Sequence, residues 1–96
     1  RVYDVVGRYG GDEFIAILPG LDSGKALSVI GRLCAAMSTQ PVMVNGISLA
    51  VTLSVGLTTV NSASTPSVDA VVSAADKALY LAKQNGRNRV EFMPLK

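Results

Sequence analysis

Two glycines set directly against two carboxylates, in Arg8-Tyr9-Gly10-Gly11-Asp12-Glu13-Phe14, are the residues of this chain best suited to chemistry. Glycine permits backbone conformations and close approaches that a Cβ forbids, so a phosphate or sugar has room to lie against the main chain at Gly10 and Gly11. Asp12 and Glu13 then stand at the tip, and carboxylate oxygens are the hard ligands that Mg²⁺ prefers beside nucleotide phosphates. The same residues also make an ordinary hairpin turn with solvated acids. Lys83 and Arg87, four positions apart, offer charge of the opposite sign. Arg presents a planar fork of donors and Lys a compact charge, although cations at the end of a helix favour its macrodipole without any ligand.

The elements that must hold these groups follow from patterning. Val5-Val6 before the acidic turn and Phe14-Ile15-Ala16-Ile17-Leu18 after it read as the strands of a hairpin. Residues 19–24 form a loop in which Asp22 or Ser23 caps the next helix. Leu27, Ile30, Leu33 or Cys34, and Met37 recur at helical spacing, and the helix should stop at residues 38–40, ahead of Pro41. Asn45-Gly46 between apolar runs marks a tight second hairpin. Its returning strand is expected to run from Ile47 on through Leu57 as a long, central, well-paired strand. After a polar loop at residues 61–67, Val68, Val71 or Val72, Ala75, Leu79 and Ala82 give a second helix its buried stripe. Gly86 is placed for a left-handed helix stop, and Arg89-Val90-Glu91-Phe92-Met93 returns as a strand. This order predicts an α+β fold with helices against an antiparallel sheet. Tyr80 is expected to pack through its ring, Arg8 to pair with Glu13 or Asp12, and Asp76 to orient Lys83 or the strand beneath it.

Residues 10–14 match, letter for letter, the signature of the GGDEF family of diguanylate cyclases. Leu53-Ser54-Val55-Gly56-Leu57 resembles the family's strand after the long hairpin. Ala75-Asp76-Lys77-Ala78-Leu79-Tyr80-Leu81-Ala82-Lys83 and Asn85-Gly86-Arg87-Asn88-Arg89-Val90 resemble its closing helix and final strand. The resemblance implies a palm-like, nucleotidyl-cyclase-like fold that condenses two GTP molecules into cyclic di-GMP and two pyrophosphates. It implies Asp12 as a ligand for Mg²⁺ or Mn²⁺, Glu13 as the second acid of the catalytic turn, Gly10 and Gly11 against substrate, and Lys83 and Arg87 on the triphosphate. Many relatives carry Glu where Asp12 stands, one methylene longer. Arg1 and Asp4 match the family's RxxD product-inhibition site, and Arg32 falls where some relatives place another product-binding arginine. A catalytic homodimer and an upstream sensor or receiver domain are implied as partners. The runner-up is an inactive GGDEF-like module that senses cyclic di-GMP or GTP.

Ninety-six residues, 49% of them hydrophobic, fit one small soluble domain. No apolar run approaches ~18 residues, so no membrane span is expected. The one cysteine, Cys34, has no internal disulfide partner and lies in an apolar helical pattern, which points to a buried thiol and a cytoplasmic setting. The absence of His excludes histidine general bases and ligands within this chain. A formal charge of +2 gives no case for a nucleic acid polymer or anionic lipid. A chain opening at Arg1 reads as an excised piece. The family's domain begins with a strand bearing an aspartate ligand, two helices and a guanine-reading segment, none of which precedes Arg1. Residues 1–96 are therefore expected to be a single partial domain, roughly the C-terminal three fifths, unable to cyclise GTP alone. The missing strand predicts an open sheet edge, exposed apolar surface and a tendency to associate.

Overall fold

The structure, a computed structural model, describes residues 4–61, 63 and 65–95. Along them β1 (Val5–Gly10), β2 (Glu13–Ile17), α1 (Ser23–Thr39), β3 (Val42–Val44), β4 (Ile47–Leu49), β5 (Ser54–Leu57), α2 (Val68–Gln84) and β6 (Arg89–Phe92) follow one another.

The packed centre is β5, α2 and β6. The two strands run parallel, from Ser54 beside Arg89 to Leu57 beside Phe92, and α2 is the crossover that parallel pairing demands. This helix lies against the strand backbone itself. A Cβ added to Gly56 would overlap the Ala75 carbonyl oxygen and the Leu79 backbone nitrogen, so only glycine admits so close an approach. On the helix side Ala74, Ala78 and Ala82 are buried at i, i+4 and i+8 spacing, small side chains on one face. α1 packs on β6 and β5 without touching α2, which sets the two helices on opposite faces of the strand pair. Ala26 and Cys34 are its buried residues.

Local signals explain the boundaries. Asp22 Oδ1 accepts from the Lys25 N–H at 2.8 Å and Ser67 Oγ from the Ala70 N–H at 3.1 Å, each satisfying a donor left free in a helix's first turn. Gln40, before Pro41, is extended at φ −120° and ψ 107°, because proline disfavours the helical region for the residue that precedes it. Asn45 and Gly46 turn the β3–β4 hairpin with φ of 50° and 79°.

Three expectations are corrected. β4 ends at Leu49 and strand structure resumes only at Ser54, because β4 is paired to β3 while β5 is paired to β6, and residues 50–53 only bridge the two ladders. The α+β arrangement of antiparallel strands and two helices is the expected one, and within it the β5–β6 pair is parallel. In α2 the buried residues are Ala74, Ala78 and the expected Ala82, with Val71, Val72, Ala75 and Leu79 half-buried, but Val68 at the head of the expected stripe is 78% exposed. Tyr80 is 63% exposed along a shallow groove with Val72, Asp76, Leu81 and Met93, and does not pack through its ring.

The hairpins stand apart from this centre. The described strands form three separate two-stranded ladders, and Val5, Val6, Phe14, Ile17, Met43 and Ile47 are exposed. Accessible surface totals 7009 Å², against about 5,200 Å² for a folded monomer of this mass. The radius of gyration is 14.2 Å, against about 12.5 Å for a compact chain of this length. Open edges and exposed apolar surface are thus present, as anticipated. Among the described residues no helix is long and apolar enough to cross a membrane.

Candidate functional site

The acidic turn is shaped by its own hairpin. Arg8 pairs with Phe14 and Gly10 with Glu13, leaving Tyr9 as the extra residue of a bulge, a device that bends and re-aims a strand end. Gly11 has φ +47°, so this position favours glycine on conformational grounds alone. An added Cβ at Gly10 or Gly11 would meet nothing within 4 Å, which leaves open space over the turn. Arg8 braces the turn, but not through a carboxylate as expected. Its Nε and Nη2 donate to the Gly11 carbonyl at 3.1 and 2.8 Å. That fixed acceptor, three residues away, occupies the guanidinium fork.

Glu13 is consequently available to a distant partner. Lys83 Nζ lies 3.6 Å from Glu13 Oε2, with side chains 37% and 40% exposed, so the acidic tip and the basic last turn of α2 share one region. An exposed pair of this kind contributes only ~0–1 kcal/mol. Its significance is positional. Asp12 is exposed at the turn beside Glu13. Arg87 lies past the helix end, and its guanidinium has no partner among the described residues.

The loop carrying Arg87 was only half visible in the sequence. Gly86 takes the expected positive φ at +115°, but Arg87 and Asn88 follow at +64° and +50°. Asparagine tolerates this region; nothing in the sequence signalled it for Arg87. Other candidates lie elsewhere. Asp4 is half-buried just before β1, and Arg1 lies outside the described residues. Arg32 is exposed on α1, the helix on the other face of the β5–β6 pair from α2, and is not brought to Lys83. Asp76 lines the groove with Tyr80 and does not orient Lys83.

Two adjacent carboxylates suit a hard divalent cation that completes its shell with phosphate oxygens and water. Among the described residues no cluster of three or more His, Cys, Asp or Glu stands ready to hold a metal.

Known proteins are similar to this chain in sequence and in fold. The family profile "Diguanylate cyclase, GGDEF domain" matches residues 1–89, and the chain belongs to the GGDEF family. It is 40% identical over 90 residues to Diguanylate cyclase A of Treponema denticola, covering 94% of this chain and 24% of the relative. With the diguanylate cyclase DosC of Escherichia coli K12 it shares 39% identity over 93 residues, 96% of this chain and 20% of the relative. Among solved structures it is similar to diguanylate cyclase SiaD of Pseudomonas aeruginosa, in complex with its activator SiaC, at TM-score 0.79 and 38% identity, covering 96% of this chain and 35% of that one. The GGDEF domain of DgcB from Caulobacter crescentus, in complex with c-di-GMP, gives TM-score 0.80 and 29% identity, covering 94% and 53%. The chain thus spans about a quarter or less of these curated relatives and about half of the DgcB domain.

Proposed function

We propose that the protein carrying this chain is a diguanylate cyclase, condensing two GTP molecules into cyclic di-GMP with release of two pyrophosphates. The observation that carries the reading is the 3.6 Å approach of Lys83 to Glu13, which gathers an acidic turn and a basic helix end in a GGDEF chain. Each phosphodiester requires a 3′-hydroxyl to lose its proton while pyrophosphate leaves with its charge offset. Lys83 and Arg87 bind the triphosphate and take up charge on the leaving side. Gly10 and Gly11 leave backbone open for the nucleotide to lie against. Asp12, with Glu13, would hold Mg²⁺ or Mn²⁺, which when bound lowers the pKa of an attacking hydroxyl and stabilises charge on the phosphates.

One chain carries one such set of groups, so a reaction between two GTP molecules calls for a homodimer with its sites facing. Arg1 and Asp4 bind the product and damp synthesis, with Arg32 as a further contact; the c-di-GMP complex of the similar DgcB domain supports this ligand class. Residues beyond this chain supply a strand and a further carboxylate, and residues 1–96 alone do not cyclise GTP. Supply of GTP places the domain in the cytoplasm, under control of an upstream sensor or receiver domain.

The test is incubation of the complete domain with GTP and Mg²⁺ and chromatography for cyclic di-GMP. Asp12→Ala or Glu13→Ala should lower the rate at least about a hundredfold, since even outer-shell partners of metal ligands cost ten- to a hundredfold. Undiminished product from both variants defeats the proposal. No product from the dimer, together with calorimetric binding of cyclic di-GMP that depends on Arg1, would establish a sensing module in its place.

A further inference from the structure

The loop after α2 is held by contacts from the helix end, β5 and β6. Gly86, Arg87 and Asn88 have φ of +115°, +64° and +50°, a left-handed run that side chains such as arginine rarely adopt unaided. Contacts on every side impose it. The Arg87 N–H donates to the Ala82 carbonyl at 2.8 Å, the bond that closes a helix end over a left-handed residue. From β5, Ser54 Oγ accepts from the Asn88 N–H at 3.2 Å. Asn85 Nδ2 donates to Glu91 Oε2 at 3.0 Å, tying the loop's entry to its exit. Arg89 Nε donates to the Arg87 carbonyl at 3.3 Å, and its Nη1 lies 3.8 Å from the same Glu91 oxygen. Every hydrogen bond here is spent on the backbone and flanks of Arg87, while its guanidinium remains without a partner among the described residues.

We propose that Ser54 and Glu91 are positioning residues for the triphosphate, locking the 86–88 loop so that Arg87 donates from a fixed place near Lys83. The inference rests on the triphosphate reading of Lys83 and Arg87. Released from these contacts, Arg87 and Asn88 relax toward right-handed or extended backbone, which swings the guanidinium away. Substrate must then draw the loop back out of its binding energy, and apparent affinity falls by the fraction of competent loop. The signature is a raised KM for GTP with kcat nearly unchanged.

The complete domain is assayed for cyclic di-GMP formation across GTP concentrations. Ser54→Ala and Glu91→Ala should each raise KM roughly threefold to tenfold, the worth of one neutral hydrogen bond. Ser54→Thr, which keeps the hydroxyl, and Glu91→Gln, which keeps an acceptor for Asn85, should restore it. If Ser54→Ala does not fold, the Glu91 pair carries the same test. Arg87→Ala should raise KM by roughly ten- to a hundredfold, and on that background Ser54→Ala and Glu91→Ala should add nothing. Full additivity there, or an unchanged KM in both single variants, overturns the positioning role and leaves the triphosphate reading standing. An unchanged KM in Arg87→Ala overturns that reading and this inference with it.

Discussion

The basic and acidic halves of the site differ in how they are supported. Lys83 rides on α2, and Arg87 on the loop that leaves it; the backbone of α2 is pressed onto β5 at Gly56 and its buried alanines line one face. Asp12 and Glu13 ride on the β1–β2 hairpin, which is internally registered but packs on no other element among the described residues. Its Val5, Val6, Phe14 and Ile17 are exposed, and its named tie to α2 is the exposed Lys83–Glu13 pair. The chain therefore builds a rigid cation platform by itself and only the outline of a carboxylate platform. Strands keep a fixed orientation when both edges are paired or covered, and this hairpin has neither.

The largest expected effect follows directly. Residues 1–96 alone should associate through the open edges and make no cyclic di-GMP, whereas the complete domain should be monodisperse and active. Hydrogen exchange locates the change: in the complete domain the amides of β1 and β2 become protected, while those of α2 and β5 are already slow in the shorter chain. A stable monomer of residues 1–96 whose hairpin amides exchange as slowly as those of α2 would break the comparison. A smaller effect separates two glycines. Gly56→Ala forces the helix off the strand and should cost about 3 kcal/mol or more. Gly7→Ala, whose Cβ would meet nothing within 4 Å, should stay within about 0.5 kcal/mol. Urea unfolding of both variants measures the difference, and equal costs would show the halves to be equally packed.

What the sequence disclosed tracks the range of the forces involved. Local devices were legible: the Asp22 cap, the stop before Pro41, the Asn45-Gly46 turn and the Gly86 stop each act within a few residues. Partner choice was not. The long strand expected from Ile47 to Leu57 divides because its two ends pair with different strands, a decision made by tertiary contacts. The stripe of α2 was legible in part: Ala82 is buried and Ala75 and Leu79 lie against Gly56, but Val68 at the start of the helix is exposed, since helical spacing does not tell where the neighbouring strand ends. In the site, Asp12, Glu13 and Lys83 were named from residue type and spacing, and the structure brings Glu13 to Lys83. The bracing of the turn by Arg8 through the Gly11 carbonyl was missed, since a backbone acceptor has no signature in the sequence.

The smallest effect probes the interior of the packed half. Cys34 is 4% exposed, and burial pushes its thiol above the ordinary value of 9.0, against a weaker lowering by its own backbone hydrogen bond. The sign is fixed by linkage. Below the ordinary thiol value both the folded and unfolded chains keep the proton, and pH has no effect through this group. As pH rises through that value the unfolded chain loses the proton first, so the unfolded state is favoured and stability falls. Urea midpoints of the complete domain between about pH 7 and about pH 10 should decline more steeply than those of Cys34→Ala, which lacks the titrating group. Subtracting the two curves removes the contributions of lysines and tyrosines that titrate in the same range. Parallel curves would mean that the thiolate is solvated as well in the folded chain as in the unfolded one, and that α1 seals its face of the β5–β6 pair no better than the hairpin seals its own.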